Sequence, residues 1–67
     1  MITNYEVTLT SDLLDGPLVA DVNASNPHAA ATRIRMYAFH AFKCPDMLTA
    51  DCAVKVNESG ELFQVIG

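Results

Sequence analysis

The chain has 67 residues, 51% hydrophobic and 18% charged, which suits one small packed domain spanning 1–67 and excludes a disordered segment. A domain this short buries only about 60% of the surface its unfolded chain exposes, so its core is thin and it gains from a partner, a metal or a disulfide. The net charge of −4 argues against a polyanion as the main partner, and no apolar run approaches the roughly 20 residues that span a bilayer.

The N-terminal stretch MITNYEVTLT alternates polar and apolar residues and lacks a basic leader region, so it reads as a strand rather than a signal peptide. A cytoplasmic location with reduced cysteines is the expectation that follows. Within it Tyr5, Val7 and Leu9 point one way and Asn4, Glu6, Thr8 and Thr10 the other. SDLLDGP breaks the strand with turn chemistry. LVADVNAS then alternates again, with Leu18, Ala20, Val22 and Ala24 on one face and Val19, Asp21 and Asn23 on the other. An antiparallel hairpin joins the two most simply.

A helix follows. Asn26 suits the N-cap, Pro27 the first helical position, and Pro45 a stop. The closing ADCAVKV-NESG-ELFQVIG reads as a second hairpin with Gly60 ending its turn, which sets Cys52 and Val54 on the face of Phe63 and Val65. The fold class is therefore α+β: a small antiparallel sheet in ββαββ order with one helix packed on one face.

Residues about 100° apart sort the helix into two sides. Ala30, Ala31, Ile34, Tyr37, Ala38, Ala41 and Phe42 fall in an arc of roughly 140°, the predicted core side. The opposite side holds His28, Ala29, Thr32, Arg33, Arg35, Met36, Phe39, His40 and Lys43. Three of the four cations of the chain, Arg33, Arg35 and Lys43, lie on this helix without one acid, while Lys55 stands among all eight acidic residues elsewhere. Met and Phe amid cations resemble an interface centre, so Arg33, Arg35, Met36, Phe39, His40 and Lys43 are the candidate partner-binding residues. The alternative is that the loop around Met47 and Leu48 covers Met36 and Phe39. Val19, Ala53, Leu62 and Ile66 point away from the helix and form a candidate oligomer face, through which two copies would make a homodimer. Leu13 and Leu14 sit at a loop tip, either as contacts or tucked inward.

Chemical signatures are sparse. His40 and Cys44 are one helical turn apart, with Cys52 and His28 as further donors, but no C-x-x-C occurs and Cys52 reads as inward-facing; the expectation is no metal and no cofactor. The spacing of Cys44 and Cys52 leaves a disulfide undetermined. No serine or cysteine is paired with a base, and DLLDG holds too few ligands for a calcium loop, so an enzyme is not expected. Three cations in an acidic body and a sheet without a basic aromatic face make nucleic-acid binding weak.

In the order of its elements, YEVTL and LVADV, then NPHAAATRIRMYAFHAF, then CAVKV, the chain resembles the small strand–strand–helix–strand proteins encoded by bacteriophages and mobile elements. The second hairpin departs from their three-strand form. The resemblance implies a non-enzymatic module that binds a host enzyme or complex as an inhibitor or adaptor. It assigns no residues.

Overall fold

The computed structural model describes residues 1–67. Four strands and one long helix run in the order β1 (Thr3–Thr10), β2 (Leu18–Ala24), α1 (Pro27–Phe42), β3 (Asp51–Val56) and β4 (Leu62–Val65). The sheet is antiparallel throughout in the spatial order β2-β1-β3-β4, an arrangement the sequence leaves open. The N-terminal strand is thus central. The connection from β2 through α1 to β3 passes over it, so β2 and β3 run parallel with β1 between them.

Alternation decides the layering. Tyr5, Val7 and Leu9 of β1 are buried against α1, as are Cys52 and Val54 of β3, while their neighbours along each strand face away. The register sets Cys52 opposite Val65 and Val54 opposite Phe63, as the hairpin reading predicts. In the β3–β4 turn the Val56 N–H donates to the Glu61 carbonyl (2.8 Å) and the Gly60 N–H to the Val56 carbonyl (2.7 Å). Gly60 has φ 78°, a left-handed value that favours a residue without a Cβ.

Asn26 caps α1, its Oδ1 accepting from the Ala29 N–H at 2.8 Å, and Pro27 occupies the first turn, where a backbone donor is not needed. The helix ends at Lys43, whose backbone is left-handed (φ 53°, ψ 40°), before Pro45 is reached. Pro45–Thr49 then form a 3-10 helix that the sequence pattern does not foretell. It packs on α1 and inserts Met47, fully buried, into the core.

The predicted sides of the helix need correction at four residues, Arg35, Tyr37, Ala41 and Phe42. Arg35, read as outward-facing, is only 7% exposed, whereas Tyr37, read as core, is 59% exposed. The buried set is Ala30, Ala31, Ile34, Arg35 and Ala38, with Phe39 half-buried beside them. The buried arc is therefore turned toward Arg35 and Phe39, because the 3-10 helix covers that flank. Phe42 lies within the arc, yet it and Ala41 sit at the end of the helix; Phe42 is 50% exposed against the β1–β2 loop.

Arg35 acts as a staple. Its Nε–H donates to the Ala50 carbonyl (2.8 Å) and an Nη2–H to the Val65 carbonyl (3.1 Å), tying α1 to the start of β3 and the end of β4. No carboxylate pairs with it. Carbonyl dipoles therefore carry the solvation that water would give a guanidinium, which five rigid donors can use and a single ammonium cannot. Cys52 lies against the same group. Burial pushes its thiol above the ordinary value of 9.0, and the Arg35 charge and hydrogen bond oppose that rise without cancelling it.

The face of the sheet away from α1 is open and mostly polar. Asn4 Nδ2 donates to Asn23 Oδ1 (3.0 Å), and Asn57 Nδ2 donates to Asn4 Oδ1 and to Asp21 Oδ1 (3.3 Å). Lys55 pairs with Glu6 across β1 and β3 at 3.5 Å, the one ion pair of the chain. Such an exposed pair contributes at most about 1 kcal/mol.

Candidate functional site

On α1, residues Arg33, Met36, Tyr37 and His40 follow the spacing i, i+3, i+4, i+7, which places them in one stripe along the helix. All four are exposed, Met36 at 43% and Tyr37 at 59%. Four turns of a well-capped helix hold them at fixed spacing, and Lys43 at the C-cap extends the stripe. The neighbouring ring pair Phe39–His40, with centroids 5.1 Å apart at 55°, links the imidazole to the half-buried flank.

The electrostatics are one-sided. Neither Arg33 nor Lys43 has a carboxylate within 4.0 Å, and α1 contains no acid. The exposed acids Asp12, Asp15 and Asp21 belong to β2 and the loop before it, while Asp46, Asp51, Glu58 and Glu61 lie beyond the helix. The stripe thus offers two large apolar groups, unpaired cations and an imidazole at one surface. That composition suits an acidic, partly apolar surface on a second protein.

Of the six partner-binding residues expected from the sequence, Arg33, Met36, His40 and Lys43 are exposed and brought together. Phe39 is half-buried against the core, in agreement with the covered alternative, and Met36 is not covered. Arg35 leaves the set, because its guanidinium is committed to two internal carbonyls. Tyr37 enters it. The helical wheel assigns Tyr37 to the core by its place at the rim of the arc, and the shift of the buried arc toward Arg35 leaves it outside.

The expected oligomer face is less coherent. Val19, Ala53 and Leu62 do share the open face, but the register lays them out in two rows, Val19–Thr8–Ala53–Gln64 and Asp21–Glu6–Lys55–Leu62. Val19 and Leu62 stand on opposite edges and in different rows, about 16 Å apart by three strand spacings across and two residues along. Polar side chains separate them, and Ile66 lies just past β4. The four do not form one apolar patch.

One open cleft of about 380 Å³ lies between the β1–β2 loop and the end of α1, lined by Leu13, Leu14, Asp15, Gly16, Pro17, Leu18 and Phe42. Leu14 tucks toward the core while Leu13 stays exposed. Sequence reading does not foresee this cleft, because its walls come from two segments distant along the chain, residues 13–18 and Phe42. His, Cys, Asp and Glu side chains do not converge anywhere in groups of three or more, and Cys44 and Cys52 are free thiols. No helix is long and apolar enough to cross a membrane. In comparison with known proteins, the chain matches no family model, no curated sequence and no solved structure.

Proposed function

We propose that this protein is a non-enzymatic protein-binding module that presents the α1 stripe to an acidic, partly apolar surface of another protein. The observation that carries this reading is the exposure of Met36 and Tyr37 between cations that have no partner within the chain. An isolated exposed apolar residue is ordinary, whereas Met36 and Tyr37 flanking Arg33 and His40 within one stripe, with Lys43 beyond, have the make-up of a binding surface. A role as inhibitor or adaptor on a host complex belongs to the same proposal and rests on the resemblance, in order of elements up to β3, to phage-encoded binding proteins; a cytoplasmic location is proposed with it.

The test is affinity capture with the tagged protein, followed by binding to the purified captured partner. Arg33→Glu combined with Met36→Ala removes capture, with a loss of about 2 kcal/mol or more for a hot-spot pair, while the far-UV spectrum is unchanged. Full-strength capture by this variant overturns the reading. A second reading is a homodimer through the open sheet face, which the exposure of Val19, Leu62 and Ile66 favours and the polar residues between them oppose.

A further inference from the structure

β2 is an edge strand with nothing beyond it. The Asn57 N–H donates to the Asn4 carbonyl at 3.2 Å, so the even residues of β1 turn their backbone groups to β3 and the odd ones turn theirs to β2. Their partners on β2 are Leu18, Ala20, Val22 and Ala24. The N–H and C=O groups of Val19, Asp21 and Asn23 therefore point outward, a ladder waiting for another strand.

Asp21 is the only charge on this edge, a defence against another acidic strand but not against a basic one. β2 runs for seven residues with no proline, lysine or bulge, its register against β1 unbroken from Leu18 to Ala24. β4, the other edge, is only four residues long. The two faces of β2 also differ. On the helix side Leu18, Ala20 and Val22 are half-buried, and the cleft holding Leu13 and Phe42 continues from them. On the open side stands Asp21, with Asp12 and Asp15 in the preceding loop, and no lysine or arginine occurs before Arg33.

We propose that the β2 edge is a strand-addition site for an extended peptide of another protein that alternates apolar and basic residues. The added strand pairs antiparallel with β2. Its apolar side chains cover Leu18, Ala20 and Val22, while its basic ones lie opposite Asp21 on the open face. Charge selects this occupant over a second copy of the chain, whose own β2 would bring Asp21 to Asp21 across the new pair. The site is separate from the α1 stripe and does not depend on it.

The experiment uses a short synthetic peptide alternating valine and lysine, added to the isotope-labelled full chain. Expected are amide shifts and slowed exchange at Val19, Asp21 and Asn23. N-methylation of one alternate set of peptide amides weakens binding by about tenfold or more, the loss of several backbone hydrogen bonds, while methylating the other set changes it less than about threefold. Asp21→Lys lowers affinity to a similar degree, and Arg33→Glu leaves it unchanged, which separates this site from the α1 stripe. Equal sensitivity to both methylated peptides, which carry the same charge, shows mere electrostatic adhesion and overturns the proposal. So does equal binding of a valine–glutamate peptide, or protection of the same amides in the free chain at high concentration, which assigns the edge to a second copy.

Discussion

Arg35 shows what a single side chain contributes when it is buried as a cation without a counter-ion. Truncating it strands the Ala50 carbonyl and loosens the end of β4 at once. Arg35→Ala is therefore expected to cost about 2–4 kcal/mol, read as a lowered urea midpoint, and Arg35→Lys recovers little, since one ammonium cannot reach both carbonyls. A loss below about 0.5 kcal/mol would contradict the staple, being the range of ordinary surface substitutions. Cys52 beside it makes stability depend on pH. Its thiol pKa is raised in the folded state, so the folded chain holds the proton more tightly than the unfolded one. The contribution is complete below the ordinary value of 9.0 and is lost as pH rises past it. Relative to Cys52→Ala, the wild-type protein should lose stability from that point upward; parallel curves would refute the assignment. The burial of Cys52 is legible in the alternation of β3, but the Arg35 staple is not. Arginine in a polar-looking run reads as surface, and only the carbonyls of Ala50 and Val65, distant along the chain, reveal the site that accepts it.

At the scale of elements, the strands and helix follow closely from local pattern. Period-two alternation gives β1 its bounds, and Asn26 with Pro27 gives the start of α1. The phase of the helix is harder to read, because a wheel knows its own apolar residues but not the neighbours that will cover them. The 3-10 helix packs on α1 and inserts Met47 into the core, and the buried arc lies toward Phe39, which exchanges the fates of Arg35 and Tyr37. The helix end teaches the same lesson. Proline signals a stop at residue 45, yet the left-handed turn comes earlier, at Lys43, where the chain must reverse toward the 3-10 helix. A non-glycine residue there is strained, so Lys43→Gly should stabilise the fold by up to about 1 kcal/mol, seen as a higher melting temperature. The same change removes a cation from the stripe and should weaken partner capture. A variant that is less stable would show that the lysine side chain holds the turn.

For the molecule as a whole, two kinds of surface lie on different elements: a basic, partly apolar helix and an acidic strand edge. A chain that buries only 13 of its 67 residues has little stability in reserve, and association would add to it. The mixed rows of the open sheet face argue against that face as the means. The expected solution mass is therefore that of one chain, and light scattering at high concentration checks it; a dimer abolished by Val19→Lys and Leu62→Lys would restore the sheet-face reading. The candidate surfaces are thus only partly legible from sequence. Arg33, Met36, His40 and Lys43 declare themselves by helical spacing, but the β2 edge depends on strand order, which alternation cannot specify.

The central place of β1 bears on how the chain can assemble while it is being made. The first strand to be synthesised pairs early with β2, its near neighbour in sequence, but its other side waits for β3, after the whole of α1 has followed. Contacts so distant along the chain are slow to form, since closing the intervening loop comes before the gain. Until Asp51–Val56 arrives, the side of β1 that β3 will pair with stays open, and Tyr5, Val7 and Leu9 have only a partial cover. A chain halted before β3 is therefore the form most prone to aggregate, and the last quarter of the sequence serves the first strand more than itself.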